Sequence, residues 1–282
     1  MSDFYGVNLG VRRKTLYFKE VNMRCSDVMK ILETLSPTAF AENWDNVGLL
    51  LGRKDKTVHK VMLALDATDD VVEQAVLQKA DMLITHHPLL FSGIKKITED
   101  DFIGRRLIKL IKNDICYYAM HTNFDVMGMA DAAADAMKLQ NSEVLEVTYE
   151  DEIAKEGIGR IGKLPKEMSL EECAEFCKEV FAINSIRVYG DKDAVIENVA
   201  IVPGSGKDYI ETALSKQADV YITGDIGHHN GLDAMEQGLM ILDAGHYGIE
   251  KIFVPYMAEF FASQMPELVV DKAVEKEPFY VM

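Results

Sequence analysis

The stretch Asp81-Met-Leu-Ile-Thr-His-His-Pro-Leu-Leu-Phe91 decides the fold of this chain. Residues 82–84 form an apolar run with the character of a strand, and the run ends abruptly at His86, His87 and a proline. In an open α/β sheet, ligands bind at the carboxyl ends of the strands. Imidazole is a versatile metal ligand near neutral pH, because it is largely unprotonated there. The stretch therefore predicts a strand that delivers two histidines to a metal site, and a solvated loop is the alternative.

Strand-like and helix-like segments alternate along the chain on both sides of this stretch. The segments predicted as strands are 47–51, 60–65, 82–84, 114–120, 157–164 and 185–189. The segments predicted as helices are 26–35, with Ser26 as the N-cap, 69–79, 101–112 and 169–181. Such alternation is typical of α/β proteins.

The chain also repeats itself over a strand, a loop, a helix and a second strand. Without a gap, the segment that begins at Val61 aligns with the segment that begins at Val199. The alignment pairs Asp81 with Asp219, and each copy ends at a polar turn that begins with threonine. Internal similarity at a fixed offset indicates duplicated structural units.

Each copy is followed by another predicted strand that ends in a histidine, His121 in the first copy and His246 in the second. A carboxylate lies four residues past each histidine, at Asp125 and Glu250. A histidine at a strand end and a carboxylate one helical turn later can reach the same centre, and Gly245 would allow the necessary turn of the backbone. A helix cap and a surface acid are the alternative for His246 and Glu250.

The polar residues at these predicted strand ends form one candidate metal constellation. They are His86, His87, His121, Asp125, Asp225, His246 and Glu250. Three imidazoles and two carboxylates suffice for two divalent ions with open positions for water or substrate. The prediction is therefore an α/β protein of two related halves, with strand ends converging on a dinuclear metal cleft.

The predicted organisation has four parts. Residues 1–22 form an N-terminal extension outside the core, with an ordered extension as the alternative. Residues 23–139 form the first α/β half, residues 140–195 form a connecting β-α-β segment, and residues 196–282 form the second half.

The composition limits the classes of function. The chain has 282 residues, of which 48% are hydrophobic, and this is enough for one large or two small cores. Its formal net charge of −16 disfavours a nucleic-acid partner unless a basic patch is local. The sequence has no apolar stretch of membrane-spanning length, no visible signal peptide and no Cys-x-x-Cys pattern. These features predict a cytoplasmic protein without a membrane partner.

Three further motifs have an ordinary structural alternative. His228 and His229 are expected to face substrate at most, or to be plain residues of a loop that opens a helix. Gly204-Ser-Gly-Lys207 is expected to be a plain turn rather than an anion site, because it lacks the phosphate-binding fingerprints. Trp44-Asp-Asn46 is expected to be core packing followed by a turn.

Six motifs, taken in order, resemble the NGG-interacting-factor-like family. They are Trp44-Asp-Asn-Val-Gly48, Thr85-His-His-Pro-Leu-Leu-Phe91, His121-Thr-Asn-Phe-Asp125, Gly204-Ser-Gly206, Thr223-Gly-Asp225 and Asp243-Ala-Gly-His-Tyr-Gly-Ile-Glu250. The resemblance spans residue 23 to the C-terminus, and bacterial members often carry the label GTP cyclohydrolase I type 2 homologue. It implies a two-metal centre in an α/β fold and a toroidal homohexamer. Some members have a large extra domain, for which residues 140–195 are too few.

The resemblance also implies roles for individual residues. It implies that His86, His87, Asp125, His246 and Glu250 are metal ligands. It leaves His121 as a nearby residue that is not a ligand.

Metal-dependent hydrolysis is the first functional hypothesis. Two divalent ions per chain, Zn, Mn, Fe or Co, would activate a metal-bridging hydroxide as the nucleophile, and His121 would transfer a proton. A small, nucleotide-like substrate is implied only by the family label, and no residue that we can name selects guanine. The alternative is a non-catalytic interaction protein in which metal ions stabilise a ring.

Overall fold

A computed structural model of the chain describes residues 23–282, so the predicted N-terminal extension lies outside the described residues. The strands are β1 (Gly48–Leu51), β2 (Lys60–Ala64), β3 (Met82–Thr85), β4 (Cys116–Ala119), β5 (Gln140–Glu150), β6 (Lys155–Ser169), β7 (Arg187–Tyr189), β8 (Val195–Ser205), β9 (Val220–Gly224), β10 (Met240–Asp243) and β11 (Val269–Lys272). The α-helices are α1 (Cys25–Leu35), α2 (Asp69–Leu77), α3 (Phe102–Lys112), α4 (Thr122–Phe124), α5 (Ala130–Ala136), α6 (Leu170–Phe181), α7 (Ile210–Ser215), α8 (His228–Glu236), α9 (His246–Glu250) and α10 (Phe253–Gln264). A π-helical turn, Asp125–Met129, joins α4 to α5.

The first sheet has the strand order β1-β4-β3-β2-β11. Strands β2, β3 and β4 are parallel neighbours, β1 runs antiparallel to β4, and β11 runs parallel to β2. Successive residues of a strand point to opposite faces, so each face of this sheet has its own core. Leu63 and Ile84 pack with α1 and α10 on one face, whereas Leu83 and Tyr117 pack with α2 and α3 on the other. Burial on both faces explains why β3 is apolar without interruption until Thr85.

The second sheet has the strand order β5-β6-β8-β9-β10-β7. Strands β8, β9 and β10 are parallel neighbours, and β7 runs antiparallel to β10. Val199 and Ile222 pack with α5 and α6 on one face, whereas Tyr221 and Ile241 pack with α7 and α8 on the other. Two sheets, each covered by helices on both faces, confirm the predicted α/β class.

The predicted internal repeat is visible in the pairing of the two sheets. Val61 pairs with Met82 in the first sheet, and Val199 pairs with Val220 in the second, which are equivalent positions of the aligned copies. In both sheets an antiparallel strand lies beside three parallel strands. Four strands of each sheet therefore have the same arrangement, and the two copies also have similar sequences.

Helices α6 and α1 each begin one residue from the predicted start, and they differ in how their first turns are capped. The hydroxyl of Ser169 accepts a hydrogen bond from the N–H of Glu172, whose carboxylate accepts one from the N–H of Ser169. The predicted N-cap at Ser26 is wrong, because α1 begins one residue earlier, at Cys25. The N–H of Cys25 donates to the carbonyl oxygen of Lys56, so backbone of a neighbouring loop replaces the expected side-chain cap.

Two segments of the chain pack differently from what the predicted four-part organisation implies. The division into four parts itself stays a prediction. Residues 140–195 contain an additional strand, β5, and the strands β5, β6 and β7 all belong to the second sheet rather than to a connector. At the other end, α10 and β11 return to the first half, where β11 pairs with β2. The C-terminal segment therefore completes the first sheet.

No helix formed by residues 23–282 is long and apolar enough to cross a membrane. The cysteines all lie in this part of the chain, where each is buried and outside any disulfide bond. Cys173 and Cys177 lie one turn apart on the buried face of α6 and pack in the core there.

Candidate metal centre

Six side chains that the sequence predicts at strand ends lie together in one cleft. They are His86 and His87 after β3, His121 after β4, Asp125 at the start of the π-helical turn, and His246 and Glu250 in α9 after β10. Gly245 makes the turn into α9 with a φ of +77°, a left-handed conformation that glycine adopts without strain. The parallel strands of both sheets thus present their carboxyl ends to the same cleft, as the rule for α/β proteins predicts.

His87, His246 and Glu250 form one group of potential ligands. The Nε2 atoms of His87 and His246 lie 3.1 Å apart, and each lies 3.0 Å from Oε2 of Glu250. Nitrogen and oxygen ligands each lie about 2.0–2.2 Å from a bound zinc ion, which puts neighbouring ligand atoms about 3 Å apart. This group could therefore hold a metal ion.

His86, Asp125 and Glu250 form another group. Nε2 of His86 lies 3.5 Å from Oδ1 of Asp125 and 3.6 Å from Oε1 of Glu250. This group could also hold a metal ion, and it shares Glu250 with the first group. The carboxylate of Glu250 offers one oxygen to each group, which is the arrangement that a bridging ligand requires.

Each of the four imidazoles in the cleft has an acceptor beside its Nδ1 atom. The pairs are His86 with the carbonyl oxygen of Met120 (2.7 Å), His87 with Asp66 (2.9 Å), His121 with Asp45 (2.9 Å) and His246 with Asp225 (2.8 Å). Because carbonyl and carboxylate oxygens accept, Nδ1 carries a hydrogen, and Nε2 is the ring nitrogen that faces the cleft and could bind a metal ion after losing its proton. Metal-binding histidines in proteins almost always have such a partner on the other ring nitrogen.

Three ligand atoms are buried without a hydrogen-bond partner among the described residues. They are Nε2 of His86, Oδ1 of Asp125 and Oε2 of Glu250. The contacts of Oε2 with the imidazole nitrogens are close but lack hydrogen-bond geometry. An unpaired buried polar atom costs about 1–3 kcal/mol, and more when it is charged. A cation in the cleft would remove this cost, so the residues present fit a bound metal ion.

The charges of the cleft also favour a cation. Burial lowers the pKa of His87, but its hydrogen bond to Asp66 and the carboxylate of Glu250, 3.0 Å from Nε2, outweigh burial and raise the pKa to about 10. Burial likewise lowers the pKa of His246, and Glu250 outweighs it, so that the pKa rises to about 9. Burial raises the pKa of Glu250, but His86 and His246 hold it well below its usual range. Glu250 therefore stays ionised, and metal ions would displace protons from the imidazoles around it.

Gly204 lets the second sheet approach Glu250. It lies in β8 with a φ of +74°, and a Cβ atom added there would collide with Oε1 of Glu250. The pairing of β8 with β9 shifts in register between Ile201 and Ser205, where β8 passes the cleft. The segment expected to be a plain turn is thus the irregular end of a strand, with its backbone against a carboxylate.

Two carboxylates that position the histidines were not predicted as site residues. Asp66 is the second residue after β2, so the strand-end rule that selects His86 would also have selected it. Asp45 has a fully buried side chain, whereas the side chain of Trp44 is 58% exposed. The prediction that Trp44 packs in the core is therefore wrong, because the aspartate beside it turns inward instead.

His228 and His229 lie outside the groups of potential ligands that the described residues form. They are exposed in the first turn of α8, and their ring centroids are 5.2 Å apart. Asp225, in contrast, reaches the cleft through its hydrogen bond with His246.

The fold and the cleft define an α/β protein whose candidate metal site is built from both halves of the chain. The model of the Duf34/NIF3 (NGG1p interacting factor 3) family matches residues 23–278, so the chain belongs to this family. The match confirms the resemblance that the six sequence motifs indicate.

Similar proteins share this chain over most of its length. A protein of Clostridium perfringens named GTP cyclohydrolase 1 type 2 homolog is 37% identical over 262 residues, which are 91% of this chain and 99% of that protein. A Clostridium acetobutylicum protein of the same name is 38% identical over 232 residues, which are 82% of this chain and 86% of that protein. Among solved structures, a Bacillus cereus protein related to NIF3 has a TM-score of 0.85 at 27% identity, covering 92% of this chain and 99% of that chain.

Proposed function

We propose that this chain is a dinuclear metal-dependent hydrolase. The observation that carries the proposal is the sharing of Glu250 between two groups of potential ligands. In this proposal His87 and His246 complete one ion's ligands, and His86 and Asp125 complete the other's. Ligands of mixed imidazole and carboxylate type suit Zn, Mn, Fe or Co.

Two divalent ions would lower the pKa of a water molecule between them and polarise a substrate oxygen or ring carbon. The residues of the chain supply rigidity around that water. Asp66 and Asp225 fix the rings of His87 and His246 through their Nδ1 atoms. His86 is fully buried, and its ring lies 5.5 Å from that of Phe253.

His121 is the proposed proton donor and acceptor. Asp45 holds its Nδ1 atom, and its ring lies 5.3 Å from that of His86 and 5.7 Å from that of His87. A cavity of about 350 Å³ is lined by His121 together with Asp125 and Glu250. A substrate there would therefore reach both the proton-transferring histidine and the proposed metal ligands. Ligation of an ion by His121, beside His86 and His87, is the competing role.

The name of the two clostridial relatives, GTP cyclohydrolase 1 type 2 homolog, supports hydrolysis of a nucleotide-like substrate. Attack of a water molecule on a purine ring carbon is within the chemistry that such a centre allows. The proposal for this chain is therefore hydrolysis at a ring or ester bond of a small molecule.

The test is hydrolysis after chelation and re-addition of Zn, Mn, Fe or Co, measured on phosphoester, nucleotide and cyclic-amide substrates. We expect chelation to abolish turnover and metal to restore it. His121→Ala should keep its metal and lose about 100-fold or more in rate. His229→Ala, which changes an exposed histidine, is the matched control and should lose nothing. Absence of metal-dependent turnover in every class would favour the non-catalytic interaction protein instead.

We also propose the toroidal homohexamer that the family resemblance implies. Four apolar side chains near the C-terminus are exposed, namely Phe279, Tyr280, Val281 and Met282. Their exposure supports burial against another copy of the chain. Sedimentation equilibrium should give a mass of about 190 kDa, which is six times the chain mass of 31.6 kDa. A mass equal to that of a single chain would contradict the hexamer.

A further inference from the structure

Trp44 and Phe91 form an exposed aromatic pair at the mouth of the cleft. Their rings are stacked, with centroids 6.1 Å apart and planes 13° from parallel. Their side chains are 58% and 52% exposed. His121 meets both rings edge-on, at centroid distances of 5.8 Å from Trp44 and 5.6 Å from Phe91. The pair is therefore continuous with the candidate metal centre.

The backbone beneath the pair is fixed, although both rings are exposed. Asp45, next to Trp44, accepts hydrogen bonds from Nδ1 of His121 and from the backbone N–H of Thr122. The side-chain amide of Asn46 donates to the carbonyl oxygen of Leu90 at 2.6 Å, which ties the segment before β1 to the loop after β3. The two rings are thus presented from anchored positions, and ordering them for a ligand costs little conformational entropy.

An exposed pair of large aromatic side chains is unusual on the surface of a protein unless something covers it. Aromatic rings bind flat heterocycles face to face, because every nucleobase has a π-face that stacks without regard to its hydrogen-bonding edge. The cavity of about 350 Å³ that Trp44 and His121 line has the size of a small-molecule pocket.

The charges around the cleft select against phosphates. Three cavities border the candidate centre, and the described residues that line them include nine carboxylates. The lysines and arginines among those residues are Arg106 and Lys276. Arg106 is already paired with Asp69, at 2.7 Å. Away from the proposed metal ions, a polyphosphate would therefore meet negative charge without the basic clamp of lysines and arginines that phosphate sites use.

We propose that Trp44 and Phe91 bind the face of an uncharged planar nitrogen heterocycle, a nucleobase or nucleoside without phosphates, and direct its edge toward His121 and the metal centre. This inference rests on the proposed function, in which the bound heterocycle is the substrate of the hydrolysis. It adds the chemical class of that substrate. It assigns specificity to the aromatic pair and to the acidic surroundings, and it makes a nucleoside triphosphate a poor ligand.

The test uses the only tryptophan of the chain as its reporter. Metal-loaded protein is titrated with guanosine, adenosine, GTP and ribose 5-phosphate, and the fluorescence of Trp44 is followed at the red edge of its absorption. We expect saturable quenching by the nucleosides, at least about tenfold weaker binding of GTP, and no saturable change with ribose 5-phosphate.

Phe91→Ala should weaken nucleoside binding by about 5- to 150-fold, which corresponds to the loss of one stacking partner. Tyr149→Ala is the matched control, because Tyr149 is 42% exposed and lines none of the three cavities that border the centre. Calorimetric titration of Trp44→Ala with guanosine should show a similar loss. Circular dichroism and metal content of each variant confirm that fold and centre are retained.

Three results would overturn the inference. They are tighter binding of GTP than of guanosine, equal binding by Phe91→Ala and wild type, and Trp44 emission that depends on protein concentration rather than on ligand. The last result would mean that a second copy covers the pair. Binding is measured without turnover, so quenching without hydrolysis would refute only the proposed function, and hydrolysis without quenching would refute only this inference.

Discussion

Glu250 is the residue on which both groups of potential ligands depend. Its carboxylate is buried, and it touches His87 and His246 through one oxygen and approaches His86 through the other. The strand β8 can pass beside it only because Gly204 has no side chain. A single glycine therefore controls the space that the shared carboxylate occupies.

Gly204→Ala is expected to reduce bound metal as well as stability. Its φ of +74° strains any L-residue, and the added Cβ atom would displace Oε1 of Glu250. Gly238→Ala is the matched control, because Gly238 has a φ of +91° and an added Cβ atom there meets nothing within 4 Å. Both variants should lose about 1 kcal/mol of stability or more. Metal analysis and thermal unfolding check this, and equal metal content in the two variants would contradict it.

Asp45 links the stability of the cleft to pH. Burial raises the pKa of its carboxyl, but hydrogen bonds from His121 and Thr122 outweigh burial and lower it to about 2. A pKa below the ordinary value of 3.8 means that the ionised carboxylate stabilises the fold above that value and loses this effect as the pH falls toward 2. The contribution should therefore be complete at neutral pH.

Asp45→Asn should lower the unfolding temperature near neutral pH, and the difference from wild type should shrink as the pH falls from about 4 to about 2. Thermal unfolding across this range measures the effect. Asp100→Asn, which changes an exposed carboxylate, is the control and should follow wild type. A difference between Asp45→Asn and wild type that is constant with pH would show that Asp45 acts by packing rather than by charge.

At the scale of single elements, the repeat places the same pair of aspartate–backbone hydrogen bonds in both sheets. The carboxylate of Asp81 accepts hydrogen bonds from two successive backbone N–H groups at the start of β2, at 2.8 and 3.0 Å. The carboxylate of Asp219 does the same for two N–H groups in β8, at 3.0 and 2.7 Å. Each aspartate thus joins the entry of one parallel strand to the entry of the next.

Asp81→Ala and Asp219→Ala should destabilise the protein by similar amounts, about 1–3 kcal/mol each, because each leaves two backbone donors without their partner. Chemical denaturation measures the loss, and hydrogen exchange should place it in β2 for one variant and β8 for the other. Asp233→Ala, on the exposed side of α8, is the control and should change little. Unequal losses would mean that these aspartate–backbone hydrogen bonds contribute differently to the stability of the two halves.

Elements with a strong local pattern were predictable, and an element without one was not. Strand β3 is buried along its whole length, and its apolar run is visible in the sequence. Strand β5 is exposed along most of its length, and Leu145 is its one fully buried residue. An exposed edge strand has no alternation of apolar and polar residues, so the period that reveals strands was absent.

At the scale of the whole molecule, the candidate ligands were predictable because each follows a strand, whereas the hydrogen bonds that hold them were not. Asp66 holds His87, and its own N–H donates to Glu275, which lies 209 positions further along the chain. Asp45 reaches His121 across 76 positions. Contacts between residues so distant in sequence arise only when the two sheets and the C-terminal segment assemble, and a single sequence carries no signal for them.

The cleft needs both halves of the chain, so the central claim is that the assembled molecule holds two metal ions per chain. The most direct measurement is the metal content of protein purified without added metal or chelator, for wild type and for Glu250→Ala. We predict about two ions per chain in wild type and a sharp fall in the variant, since both groups of ligands lose a member. A correctly folded wild type that is free of metal and does not take up Zn, Mn, Fe or Co would contradict the account.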